Sequence, residues 1–284
     1  MMTSKLMRTT VLVLVGWLST VSVAAAGDAE KAFERGQQLV AAGQLRAAAE
    51  ALRDAVMRDL NNQAYRRHFM ATRQALKYQM IIDAGQTSAH WDEAADGLSL
   101  YYRSRGHYEQ ALPIDQAMYE KRKSADAGIQ LAETLLALEQ SERAAEVLEE
   151  VASRQATPAS QALLCVALAR QGDAAQAQRT AAALHAASNA DPYTLYLVAR
   201  AQAAVGEDAR AMETLTRCYE SVPPSRLGAL KSHTKSCPEF GQLVSSDAFS
   251  QVLETESKVP ESKCSGGSSC GSCPMRGKCS RGGH

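Results

Sequence analysis

Apolar residues recur at steps of three and four along most of this chain. The stretch LSLYYRSRGHYEQALPIDQAMYE, residues 98–120, shows the consequence. Leu98, Tyr101 and Tyr102 share one side of a helix that ends before Gly106, and Tyr108, Ala111 and Leu112 share one side of a second helix that begins after it. The pattern then repeats. The turn residues Gly106, Gln140, Gly172 and Gly206 are spaced by 34, 32 and 34, and an alanine stands five positions beyond each: Ala111, Ala145, Ala177 and Ala211. Gly43 and Ala48 form the same pair earlier in the chain. Each unit therefore reads as two antiparallel helices joined at the glycine. The alanine is small because the second helix crosses the first there and a larger side chain would push the backbones apart. Asp59–Asn62, Thr157-Pro158, Asp191-Pro192 and Pro223-Pro224 separate the units, with proline closing one helix or opening the next.

These residues resemble the tetratricopeptide repeat, a 34-residue helix pair with glycine at the inner turn and alanine beyond it, across residues 29–224. Five units match: 29–62, 92–125, 126–157, 158–191 and 192–224. GHYEQAL at Gly106 matches best, and the unit from 126 departs by placing Gln140 where glycine is usual. The resemblance implies an all-α, right-handed α-solenoid whose first helices line a concave groove for a protein or peptide. That groove would be lined by Phe33, Gln37, Arg103, Gln130, Thr134, Tyr193, Tyr196 and Arg200. The basic and asparagine constellation with which some members clamp a terminal carboxylate is not evident.

Two stretches fall outside the repeats. Residues 63–91 read as one long helix or a degenerate repeat, with Tyr65, Phe69, Thr72, Leu76 and Met80 on one face and Arg66, Arg67, Arg73 and Lys77 opposite. Residues 225–254 read as short helices that cap the array through Phe240, Leu243, Phe249 and Leu253. The remaining residues, 255–284, are rich in Ser, Gly, Lys and Pro, with no hydrophobic face, and read as a flexible tail.

Composition supports helices over sheets. Alanine and leucine dominate, while there are only 4 Phe and 2 Trp. Residues 1–26 have the form of a signal peptide: Lys5 and Arg8, an uncharged run from Thr9 to Val23, then Ala24-Ala25-Ala26. Cleavage there leaves a mature chain beginning near Gly27, periplasmic or secreted, with no stable membrane span; retention as an anchor is the alternative. The mature chain has 29 basic and 31 acidic side chains, a balance that gives nucleic acid no reason to bind. Lys263, Arg276, Lys278 and Arg281 make the tail cationic.

The tail also carries Cys264, Cys270, Cys273 and Cys279 at C-x5-C-x2-C-x5-C spacing. In an oxidising compartment these would pair as disulfides. Alternatively, four thiolates on Gly and Ser hinges would hold zinc or copper(I), with Met275 as a further soft donor. An unstructured tail without defined cysteine chemistry is the third reading, and thiol–disulfide exchange at Cys270 and Cys273 is a more distant one. Cys165 and Cys218 read as buried packing residues, and Cys237 as exposed enough to partner the tail. The six histidines form no spaced metal pair, and neither a phosphate loop nor a nucleophile elbow occurs. The sequence therefore reads as a binding or assembly module rather than an enzyme, with metal handling by the tail as the alternative.

Overall fold

The computed structural model describes residues 27–184 and 190–260, so the signal-like segment and the four tail cysteines lie outside the described residues. The chain divides after Gln140 into two compact units. The first contains α1 (27–41), α2 (Leu45–Arg58), α3 (Gln63–Asp83), α4 (Trp91–Arg103), α5 (Tyr108–Arg122) and α6 (Ala125–Ala137). The second contains α7 (Ser141–Gln155), α8 (Pro158–Gln171), α9 (Ala174–Ala183), α10 (Pro192–Ala204), α11 (Asp208–Ser221), α12 (Pro224–Ser236), a 3-10 turn (Pro238–Phe240) and α13 (Asp247–Glu254). Among the described residues there is no strand, and the fold is all-α, built from helix–turn–helix pairs.

Short polar side chains begin the helices where the separators predict. Asn62 accepts from the N–H groups of Ala64 and Tyr65, and Asp191 from those of Tyr193 and Thr194. Thr157 forms a reciprocal capping box with Ser160 ahead of α8. The inner turns end the first helix of each pair in one way. Gly43, Gly106, Gly172 and Gly206 have φ from 73° to 87°, a left-handed conformation that glycine adopts without a Cβ clash. In each, the glycine N–H bonds three residues back and the following N–H five residues back, as in Gly106 to Arg103 and His107 to Tyr102. The alanine five positions on is fully buried in every case, at Ala48, Ala111, Ala177 and Ala211.

The unit beginning at 126 is corrected by this geometry. Its left-handed residue is Glu139, with φ 59°, rather than Gln140. Glu139 donates to Leu136 and Gln140 to Leu135, so the turn bonds are the same as in the other units. The matching alanine is then Ala144, which is fully buried, rather than Ala145. With Glu139 as the marker the spacing from Gly106 becomes 33, 33 and 34, more regular than the sequence suggested.

Residues 63–83 form one uninterrupted helix rather than a degenerate pair. Thr72 and Ala75 face the core, and the Thr72 hydroxyl bonds the Tyr101 hydroxyl at 2.7 Å. Met80 is not on that buried face; it is 57 % exposed near the helix end. Arg66, Arg67, Arg73 and Lys77 are all exposed on the other sides of the helix. At Gly97 of α4 an added Cβ would lie 2.4 Å from the Tyr78 ring of α3, so the absence of a side chain sets how closely these helices approach.

Residues 225–254, expected to cap the array, pack through the 3-10 turn on α10 and through α13 on α11, with Phe240, Leu243 and Phe249 buried but Leu253 only half-buried, Val252 taking the buried place. Thr255–Pro260 is without helix, yet it is fastened: Lys258 N–H bonds the Glu220 carbonyl at 2.9 Å, and Lys231 Nζ bonds the Thr255 carbonyl at 2.6 Å.

A left-handed non-glycine residue costs about 1 kcal/mol. Glu139→Gly is therefore expected to raise the thermal midpoint, and Ala144→Leu to lower it by about 1–3 kcal/mol of stability through overpacking. Thermal unfolding followed by circular dichroism checks both, and a Glu139→Gly chain that melts earlier would contradict this placement of the turn.

Candidate functional site

The residues expected to line a groove have three different fates. In the first unit Phe33 is half-buried between α1 and α3, its ring 4.7 Å from that of Tyr65 and 5.0 Å from that of His68. Gln37 is exposed on α1. Arg103 on α4 reaches Glu133 on α6 at 3.0 Å, a half-buried ion pair joining successive first helices.

Gln130 is half-buried and Thr134 fully buried. Both turn toward Asp115, a buried carboxyl on α5. Asp115 Oδ2 accepts from Thr134 Oγ1 at 2.6 Å, and Oδ1 accepts from Gln130 Nε2 at 2.8 Å and from the Ser99 hydroxyl. Three neutral donors from α4 and α6 thus satisfy an acid without a cation, which ties three helices through one polar centre. Thr134 is fully buried and is a structural residue. Asp115 was legible: it follows Ala111 by four and precedes Met118 by three, so the helical period places it on the buried side.

The second unit contains the most distinctive constellation. Tyr193 is 45 % exposed near the start of α10, but Tyr196 and Arg200, one and two turns further on, are covered by the capping segment of the same chain. Glu239, in the middle of the 3-10 turn, projects into the face formed by α8 and α10. Its Oε1 accepts from Arg170 Nε at 2.7 Å and also from Arg170 Nη2. Its Oε2 accepts from Arg200 Nε at 3.0 Å and from the Cys237 thiol at 2.8 Å. The Glu239 side chain is 3 % exposed, that of Arg200 9 % and that of Arg170 22 %. Burial alone would raise the Glu239 pKa, but Arg200 and then Arg170 overcome it and hold the carboxyl at about 2.

Phe240 is fully buried beside the clamp, its ring 6.2 Å from Tyr196 and 6.0 Å from Phe249. The His233 ring lies 5.7 Å from Tyr196 on another side. The Tyr196 hydroxyl is enclosed against the Cys237 thiol. An open cleft of about 440 Å³ runs alongside, between Ala203–Gly206, at the end of α10 and in the turn after it, and Pro238–Leu243, with Arg170 on its wall.

Cys237 is corrected by this arrangement. It is buried, and its thiol is pushed up to about 11, first by burial and further by Glu239, with Arg200 opposing. It is no accessible partner for the tail. Cys165 and Cys218 are buried as expected, their thiols donating to the carbonyls of Ala177 and Pro192, and burial pushes both to about 12. Among the described residues no group of His, Cys, Asp and Glu is disposed to hold a metal ion, and no helix is long and apolar enough to cross a membrane.

Tyr196 and Arg200, expected to line an open groove, are instead buried beneath the 3-10 turn, and no reading of the sequence pointed to Arg170 or Glu239. Their partnership spans 69 positions, and Glu239 belongs to a segment read only as a cap. The available signal was an acid set between Pro238 and Phe240 in an otherwise apolar stretch.

No family model and no curated protein matches this chain. It is similar to a solved tetratricopeptide repeat protein from Parabacteroides merdae, with 15 % identity, 81 % of this chain and 98 % of that chain covered, and a TM-score of 0.44. It is also similar to TTC0263, a thermophilic TPR protein in Thermus thermophilus, with 15 % identity, 74 % and 100 % covered, and a TM-score of 0.40. A third similar structure is YrrB, described as a TPR protein with an unusual peptide-binding site, with 17 % identity, 74 % and 93 % covered, and a TM-score of 0.33. The fold assignment rests on the helix pairs and turns themselves.

Because the folded pKa of Glu239 lies below its ordinary value of 4.5, its stabilisation is complete above that value and is lost as the pH falls toward about 2. Glu239→Gln is expected to cost a few kcal/mol at neutral pH, by removing the charge to which Arg200 and Arg170 donate, and to flatten this acid limb. Thermal midpoints measured from pH 2 to 7 decide it: parallel acid limbs for the two proteins would contradict the ionised clamp.

Proposed function

We propose that this chain is a non-enzymatic protein-binding module acting outside the cytoplasm, in which the face formed by α8 and α10 takes up a segment of another protein. One observation carries this reading. The face already holds a short 3-10 turn of the chain by side-chain recognition: two arginines from successive first helices grip one carboxylate, and an aromatic ring is buried beside it. Arginine and aromatic side chains in a desolvated setting are the groups that anchor protein interfaces. The arginine fork also favours a carboxylate over a neutral group.

Protein is the partner class because the mature chain's charge is nearly balanced, without the basic excess that a nucleic-acid surface requires. Binding rather than catalysis accords with the described thiols, which are all buried and held protonated. The extracytoplasmic setting rests on the charged start, apolar run and alanine triplet of residues 1–26.

The test is site-specific photo-crosslinking in the exporting cell. A crosslinker replacing the exposed Tyr193 on α10 is expected to map to one recurring segment of one partner protein, whereas the same group at exposed Glu146 on α7 is expected to give none. Scattered, similar crosslinks from both positions would contradict a defined binding face.

A further inference from the structure

We infer that the solvent side of α3, in the first unit, is a docking surface for an anionic phospholipid bilayer, against which the helix lies flat without crossing it. The inference concerns the other unit from the α8–α10 face, and neither depends on the other.

The first observation is a stripe of charge. At 100° per residue, Arg66, Met70, Arg73, Lys77 and Met80 fall within about 80° of arc on α3 and along about 21 Å of its length, with Arg67 at the edge of the same side. All four cations are exposed, and their side chains make no ion pair or hydrogen bond among the described residues. The one acid of α3, Asp83, accepts from Gln79 away from the stripe. The acids Glu30, Glu34 and Asp59 act at Tyr65, about 100° round the helix from Arg66. His68 is held below its ordinary range, first by burial and then by Arg105 and Arg67, so the cations here add to one another.

The second observation is apolar. Met57 in the last turn of α2, Leu60 in the turn that follows, and Met70 and Met80 on α3 are each more than half exposed. Such side chains enter the boundary between headgroups and acyl chains, while long Arg and Lys side chains reach the phosphates. A lipid surface satisfies the cations and the methionines together, with no shape to match.

The third observation is where the chain enters. Asp28 in the first turn of α1 lies 3.6 Å from Arg58 at the end of α2, so α1 begins beside the corner that carries Met57 and Leu60 and leads into α3. Only Ala24-Ala25-Ala26 separate Gly27 from the uncharged run that ends at Val23, which limits the distance between them to about 14 Å. On the reading of residues 1–26 as a signal, export therefore brings this corner of the first unit to the bilayer. Among the described residues no helix is long and apolar enough to cross a membrane, so the contact is peripheral.

The probe is flotation of the full mature chain with vesicles of equal parts phosphatidylglycerol and phosphatidylcholine. Binding is expected to these and not to pure phosphatidylcholine, and to weaken as salt is added. Each cation near an anionic surface contributes about fivefold, so Arg66→Gln/Arg67→Gln/Arg73→Gln/Lys77→Gln is expected to weaken binding at least about tenfold. Met70→Ser/Met80→Ser is expected to weaken it several-fold while keeping the salt dependence. These six positions are exposed or more than half exposed, so the circular dichroism and thermal midpoint are expected to stay as in the wild type.

The tail cations Lys263, Arg276, Lys278 and Arg281 attract the same lipid, so a chain with these four changed to glutamine is the comparison, and it is expected to lose less than the α3 variant. A wild-type chain that does not float with the anionic vesicles, an α3 variant that floats as well as the wild type, or a loss confined to the tail variant overturns the inference. So does self-association in place of lipid binding. Glu142, Glu146 and Glu149 are exposed along α7, and a chain that ignores vesicles but dimerises, and no longer does so as Glu142→Gln/Glu146→Gln/Glu149→Gln, assigns the stripe to a second copy.

Discussion

The architecture depends on a backbone constraint that recurs five times among the described residues. A helix stops at a left-handed residue whose N–H, with that of the next residue, returns to the last turn, and five positions later an alanine is buried to completion. The turn fixes the direction of the second helix, and the alanine fixes how closely helices approach. A bulkier residue would separate backbones whose neighbours are set to touch. The other packing features follow from that spacing: Gly36 against Leu52, Gly97 against Tyr78, and the Asp115 network that needs α4, α5 and α6 at hydrogen-bonding range.

Within that scaffold the two units use polar groups differently. In the first unit the buried acid is satisfied by hydroxyl and amide donors, an arrangement closed on itself. In the second unit the buried acid comes from a different segment than the two arginines that hold it. A buried Arg–Glu–Arg cluster is a poor source of net stability, because desolvating three charges offsets most of the Coulombic gain. Its effect is positional: the two arginines fix where Glu239, and with it the 3-10 turn, sits on α8 and α10. The apolar contact of Phe240, worth about 2–3 kcal/mol when fully buried, supplies attachment that the ions do not.

Much of the fold was legible because it is written in local spacing. The glycines, the alanines five positions on and the capping residues Asn62, Thr157 and Asp191 are all local signals, and each stands where the period placed it. Glu139 was misread because Gln140 and Ala145 imitate the pattern one residue late, and composition alone cannot show which residue turns left-handed. The groove was legible only in part. Helical period places Gln130 and Thr134 near the inner face, but whether a polar side chain there meets solvent depends on Asp115 across the helix interface. Tyr196 and Arg200 were located correctly on α10, while their covering by Glu239 and Phe240 depends on how the chain folds back after α12. Cys237 looked available for the same reason.

The account turns on whether Arg200 and Glu239 interact as a desolvated pair that holds the capping segment on α10. A double-mutant cycle with Arg200→Met and Glu239→Gln, read from the unfolding free energy of each single variant and of the combination, tests this directly. The expected coupling is about 2–3 kcal/mol, the scale of close buried charge pairs. A coupling below about 0.5 kcal/mol, the level at which independent sites simply add, would mean that Glu239 is not held by this arginine.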